Sequence, residues 1–255
     1  MGRSFLVLVT LVCVAAVAAA FAPKTAVGRV QLDRPATGGA WAQVKPTPRK
    51  IQPAAHVIAE VRPGHELALR GRPFGPVVAH VGSTTQFGSH RSLGVVATKH
   101  GRWLAVTEAG VAGNRPVWVD AKAGGLRYTR TQLELDVDLS SRTLLVHRDG
   151  ATIRRFSVGV GRTGSPTPTG HFAVTDKLAG STYSASYGCC ILALSATQPN
   201  LPAGWTGGNR IAIHGTLSSS DFGNAVSAGC VHASDANLRY LMSTVPLGTP
   251  VVIRP

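Results

Sequence analysis

The sequence predicts a mainly β protein, built from two successive strand-rich blocks with one or two short helices. Three observations carry that expectation. Between His56 and Ala123 the apolar residues come in short runs, "HVIAEV", "ELALR", "PVVAHV", "SLGVVATK", "RWLAV" and "PVWVDA", separated by Gly, Pro, Ser and Asn turns. From Thr131 the alternation resumes in "LELDVDL", "TLLVHRDG" and "ATIRRFSVGVG", where an Asp-Gly pair marks a hairpin turn. Helical spacing is confined to residues 236–243, "ANLRYLMS".

The remaining elements follow in order. In "SPTPTGHFAV", Pro166 and Pro168 fix an extended course and Gly170 lets the chain turn into a strand over Phe172 to Thr175. "CCILALS", "RIAIHG" and "TPVVIR" supply three further strands. The expected organisation is a β module over 53–125 and a larger β-rich domain over 131–254. Trp103 and Trp118, each inside an apolar run, are expected in the core.

Composition limits the function classes. With 44% hydrophobic and 15% charged residues in 255, the chain suits a packed globular protein. The net charge of +14, from 26 Lys/Arg against 12 Asp/Glu, favours an anionic partner: nucleic acid, acidic lipid or anionic cell-wall polymers. The N-terminus selects among these. Arg3 precedes an apolar stretch from Phe5 to Ala22, and Ala20-Phe21-Ala22 before Pro23 has the small-x-small form of a processing site. Residues 1–22 are therefore expected to be an export signal, with an uncleaved N-terminal membrane anchor as the alternative. Either places the remainder at the envelope and excludes genomic nucleic acid as the partner. Residues 23–52, with "RPATGGAW" and "KPTPRK", read as a flexible basic linker.

Removal of the signal leaves Cys189, Cys190 and Cys230, an odd number in a compartment where thiols pair. Adjacent cysteines close only a strained ring, so a Cys189–Cys190 disulfide is not expected. The absence of a CxxC pair or an HExxH helix argues against a metal site.

The stretch "RIAIHGTLSSSDFGNAVSAGCVHAS" places His214 and Cys230 sixteen positions apart across a Gly- and Ser-rich loop. An imidazole that takes a thiol proton makes a nucleophile able to attack a carbonyl. The helix-forming run after Cys230 would add thiolate stabilisation, and the amides of Gly229 and Cys230 could form an oxyanion hole. Spacing alone leaves open the alternative of a core histidine and a structural cysteine. Cys189 and Cys190 are further nucleophile candidates, but neither has a histidine in a comparable motif.

"IAIHGT" followed by "SAGCVHAS", with "PTPTGHF" upstream, resembles the paired signature of the L,D-transpeptidase family, the YkuD-like catalytic domain, over roughly residues 131–254. The resemblance implies Cys230 as the acylated nucleophile and His214 as its base. It also implies that the Gly215 carbonyl orients the imidazole and that Ser227 and Gly229 shape the nucleophile loop. It further implies acyl transfer between peptidoglycan stem peptides, donor and acceptor, through a Cys230 thioester, without metal or organic cofactor, and acylation by carbapenems. The layout of "LRGRPFGPVVAHVGSTTQFGS", "LGVVATKHGRWLAV" and "NRPVWVDA" resembles the bacterial SH3-like modules that accompany envelope enzymes.

Two positions depart from the family pattern. Many members carry His where this chain has Ala228, and Arg or Asn where it has His232. Two other functions stay open: hydrolysis of the same acyl-enzyme, as an L,D-carboxypeptidase or endopeptidase, which the acceptor cleft decides, and a non-catalytic basic wall-binding protein left vestigial by those two departures. His232, Tyr187 and Trp205 are candidate substrate contacts, and Tyr183 could border the donor site. His147 and His171 are expected at the surface, with a supporting place behind the site residues as the alternative.

Overall fold

The computed structural model describes residues 55–255, which fall within one compact unit. The expected signal or anchor and the basic linker lie outside the described residues. No helix among those described is long and apolar enough to cross a membrane.

Seven strands form the first sheet: β1 His56–Val61, β2 Glu66–Arg70, β3 Val77–Gly82, β4 Ser92–Lys99, β5 Trp103–Val106, β6 Val117–Asp120 and β7 Leu126–Thr131. Their order is β3-β2-β6-β5-β4-β1-β7, with all neighbours antiparallel. Side chains alternate across a strand, so each run sends half its residues inward. Leu67, Leu69, Leu93, Val106 and Val117 meet in this sheet's own core. Trp103 is buried with its ring edge-on to Phe74, while Trp118 is half-buried. Strand β7 has no counterpart in the sequence-based expectation. "LRYTRT" buries only its terminal Leu126 and Thr131, so its apolar alternation is too weak to read without β1 beside it.

The second block contains β8 Leu133–Asp138, β9 Thr143–Arg148, β10 Ala151–Ser157, β11 Val160–Gly161, β12 Gly170–Ala179, β13 Cys190–Thr197, β14 Arg210–His214, β15 Ala225–Ser227, β16 Val231–His232, α1 Asp235–Thr244 and β17 Pro250–Arg254. Eight of these strands make a sheet ordered β10-β9-β8-β17-β12-β13-β14-β16, and β11 pairs with β15 in a small parallel ribbon. The turn Asp149-Gly150 has φ of 53° and 76°, the left-handed pair that a two-residue hairpin requires. In β8, Leu133, Leu135 and Val137 face the core, while Asp136 and Asp138 face outward to Arg254. Strand β13 departs from alternation because both its faces are covered, and seven of its eight residues are buried. Helix α1, capped by Ser234 Oγ accepting from Asn237 N–H, presses the fully buried Leu238 and Leu241 into this core.

Named polar contacts tie the two sheets together. Thr107 Oγ1 and Ser195 Oγ share a buried hydrogen bond of 2.7 Å. Asn114 Nδ2 donates to the Thr197 carbonyl and its Oδ1 accepts from Thr197 N–H, both at 2.7 Å. A Cβ at Gly94 would collide with Ala173 and the Gly248 carbonyl, so β4 sits against the second sheet only because that side chain is missing. Thr85 Oγ1 donates to the buried Asp176 carboxylate.

One expectation is overturned here. Cys189 and Cys190 are joined to each other, leaving Cys230 as the free cysteine among the described residues. The neighbourhood holds the pair in place: Cys189 N–H donates to Asp235 Oδ1 at 3.0 Å and its sulfur lies 3.7 Å from the Asp235 carbonyl. The bridge also removes both residues from contention as nucleophiles.

Candidate active site

Strand pairing brings the two halves of the motif together. Strands β14 and β16 run parallel, with Ile213 opposite Val231 and His214 opposite His232. Cys230, immediately before β16, thus arrives beside the strand that carries His214. Its sulfur lies 3.8 Å from the Arg210 carbonyl, to which the thiol donates. Both Cys230 and His214 line a single cavity of about 810 Å³.

His214 is buried, and its Nδ1–H donates to the Gly215 carbonyl at 2.7 Å. That bond fixes the tautomer and leaves Nε2 with its lone pair. Gly215 itself packs on Gly188 so closely that a Cβ would overlap that backbone, and its N–H donates to the Tyr187 carbonyl at 2.8 Å. The same contact sets the Tyr187 ring edge-on against the imidazole, with centroids 4.7 Å apart.

Burial sets the protonation states. It lowers the His214 pKa to about 4, aided by the charge of His232 and opposed by the Gly215 hydrogen bond. It raises the Cys230 thiol to about 11, opposed by the Ala212 N–H. At neutral pH the resting pair is therefore a thiol and a neutral imidazole. Burial also raises the Tyr187 phenol, with the Cys230 charge adding to the effect. The expected helix-terminal stabilisation of the thiolate is absent because α1 begins at Asp235, with β16 between it and Cys230.

The loop that carries Cys230 is held from within. Ser227 Oγ donates to the Cys230 carbonyl at 2.6 Å and accepts from Gly229 N–H at 3.0 Å. The Gly229 amide, expected as an oxyanion donor, is instead engaged inside the loop. Gly229 has φ of 123°, and a Cβ there would overlap the Gln198 amide. Glycine is thus required for the bend and for the close approach. Gln198, buried at 3% exposure, donates from Nε2 to the Pro166 and Ala228 carbonyls, both at 3.0 Å. It links the "PTPTG" segment to the loop that bears Cys230.

His232 is half-buried, and its ring centroid is 4.8 Å from that of His214. Its Nδ1–H donates to Asp221 Oδ2 at 2.7 Å, and the same oxygen accepts from Thr216 Oγ1 at 2.5 Å. Burial works to raise the Asp221 carboxyl, but the hydrogen bonds from Thr216 and His232 and the His232 charge together hold it below the ordinary range.

Tyr187, Tyr183 and Trp205 all line the cavity, as does His232. Trp205 also anchors its own loop, since its indole N–H donates to the Gly208 carbonyl at 3.0 Å. His147 and His171 are elsewhere: His147 shares a hydrogen bond with Thr152, and His171 is exposed. Sequence reasoning missed Gln198, Asp221, Arg162 and Phe87. Asp221 left one trace, as the lone acid in "GTLSSSDFGN". The other three have no local signal. Among the described residues there is no cluster of metal-ligating side chains.

Residues 133–253 match the family model of the L,D-transpeptidase catalytic domain, YkuD. "Putative L,D-transpeptidase YqjB" of Bacillus subtilis is 32% identical over 126 residues, covering 46% of this chain and 68% of that protein. "Putative L,D-transpeptidase YkuD" of Bacillus licheniformis is 29% identical over 119 residues, covering 47% of this chain and 64% of the relative. This chain thus spans about two thirds of the length of either. Among solved structures, an L,D-transpeptidase from Mycobacterium smegmatis aligns with 79% of this chain and all of its own, at 18% identity and a TM-score of 0.42. On the family model and the YqjB match, this chain belongs to the YkuD-type L,D-transpeptidase family.

Proposed function

We propose that the protein is a peptidoglycan L,D-transpeptidase that forms cross-links between the third residues of two stem peptides. The observation that carries this reading is the shared cavity: a free thiol just before β16 and, at the end of its partner strand β14, an imidazole with a vacant Nε2 open into one cleft. His214 Nε2 removes the Cys230 proton as the sulfur attacks the carbonyl of the third residue in a tetrapeptide stem. The C–N bond to the terminal D-Ala breaks, His214 protonates the departing amine, and the stem remains as a thioester. The side-chain amine of a neighbouring stem's third residue then attacks the thioester carbonyl, the C–S bond breaks, and the amine's proton passes through His214 to the departing sulfur, restoring the thiol.

Because both groups are neutral at rest, proton transfer accompanies attack and no standing thiolate is needed. With Gly229 N–H held by Ser227, the oxyanion role falls to the Cys230 N–H. No acidic side chain lines the cavity, while Arg162 and Arg210 do, which suits a carboxylate-bearing peptide. His232 takes the place of the family's Arg or Asn as the polar group beside the base, held by Asp221. This arrangement favours an enzyme over a vestigial wall binder, and no cofactor is required.

The wider reading follows from the sequence. Residues 1–22 export the protein or anchor it, and the surplus of positive charge holds it to anionic wall polymers. The first sheet is the SH3-like module. Intact-protein mass spectrometry of reduced protein with a carbapenem tests the chemistry. One adduct on the wild type and none on Cys230→Ala is expected. No adduct on folded wild-type protein contradicts an activated thiol. Turnover of tetrapeptide stems to tripeptides without cross-links would identify the hydrolase.

A further inference from the structure

One part of the cavity wall comes from outside the matched domain. Gln86 and Phe87, on the loop between β3 and β4 of the first sheet, line the same cleft as Cys230 and His214. The loop is built to hold that position. Thr85 Oγ1 accepts from Phe87 N–H and Ser89 N–H, both at 3.2 Å, closing a tight turn. The same hydroxyl donates to Asp176, a carboxylate on β12 with no exposed surface. Asp176 also lies 4.0 Å from Arg210.

Arg210 connects the loop to the chemistry. Its guanidinium sits 5.6 Å from the Phe87 ring centroid, and its carbonyl accepts from the Cys230 thiol. The Tyr183 ring meets Phe87 edge-on at 6.3 Å. Phe87, Tyr183 and Arg210 therefore place two aromatic rings beside a guanidinium in a cleft lined by no acidic residue. A peptide with an aliphatic side chain next to a carboxylate matches that wall: the rings cover the methylenes, and the cation faces the charge.

We propose that Gln86 and Phe87 are specificity-determining residues of the cleft, contributed by the first sheet to bind the donor stem peptide. The first sheet is then part of the substrate site. This inference rests on the transpeptidase reading above.

The test measures equilibrium binding of a disaccharide tetrapeptide to full-length Cys230→Ala protein, which cannot turn it over. Adding Phe87→Ala is expected to weaken binding about tenfold, the scale for one lost aromatic contact. Phe87→Tyr is expected to restore it. Gln86→Glu, at an exposed position that should not disturb the fold, places a carboxylate in the cleft. It is expected to weaken binding several-fold, with the loss shrinking at high salt. Unchanged affinity in Phe87→Ala and Gln86→Glu, beside clear binding by Cys230→Ala alone, overturns the inference and leaves the transpeptidase reading intact. No binding by Cys230→Ala overturns both.

Discussion

His214 and His232 face each other across paired strands, 4.8 Å apart, yet their surroundings give them opposite parts. His214 is buried, so its ring loses its proton easily against the opposing pull of the Gly215 carbonyl, and the Nδ1–H bond to that carbonyl leaves Nε2 with its lone pair. His232 is half-buried and donates to a carboxylate, so its ring is held in a charge-bearing network with Asp221 and Thr216. In the proposed reaction the same side chain serves as base in one place and as a fixed polar neighbour in the other. Its hydrogen-bond partner and burial decide which.

Removing each member should separate the two roles. His214→Ala deletes the base and should lower acylation of Cys230 by about 10³-fold, read as the rate of carbapenem adduct formation. Asp221→Ala, which frees His232 but leaves His214 Nδ1 on its carbonyl, should cost about tenfold, on the scale of losing a partner that orients a site group. If Asp221→Ala costs as much as His214→Ala, the division between base and neighbour fails.

The pH dependence of alkylation sharpens the contrast. A standing thiolate–imidazolium pair would react with iodoacetamide at a rate nearly flat through neutral pH. Here the thiol is pushed up to about 11, so the rate should climb about tenfold per pH unit between 7 and 10. Because His214 titrates near 4, carbapenem acylation through the base should lose rate only below about pH 5. A limb centred near the ordinary histidine value of about 6.5 would assign the base to another group.

The smallest effect concerns loop support. Gln198→Ala leaves the Pro166 and Ala228 carbonyls without their donor and should cost about 1–3 kcal/mol in denaturant unfolding. The acylation rate should fall with it, since Ala228 lies two residues before the nucleophile. Gln198→Glu, which cannot donate when ionised, should behave like the alanine variant. Full stability in both would show that the amide does not hold the loop.

Much of this architecture was legible in the sequence, and the reason is periodicity. "LELDVDL" and "HVIAEV" alternate because each strand has one covered face, and the Asp149-Gly150 pair suits only a left-handed turn. The two halves of the His214 and Cys230 motif meet because Cys230 immediately precedes β16, the strand that pairs with the β14 strand ending in His214. Strand β7 was not legible, because its exposed Arg127, Tyr128 and Arg130 mask its pairing. Gln198 reaches Ala228 across 30 residues, and Phe87 reaches the cleft from a different sheet, so both are products of packing. The Cys189–Cys190 bridge was misjudged on ring strain alone, without the Asp235 contacts that frame it.

The most direct test of the central claim is a rapidly quenched single turnover with a disaccharide tetrapeptide, read by intact-protein mass and peptide mapping. The account predicts a mass increase on Cys230 equal to the stem minus its terminal D-Ala, matched by free D-Ala and absent from Cys230→Ala. D-Ala release that survives Cys230→Ala, or an acyl group mapped to another residue, would contradict it.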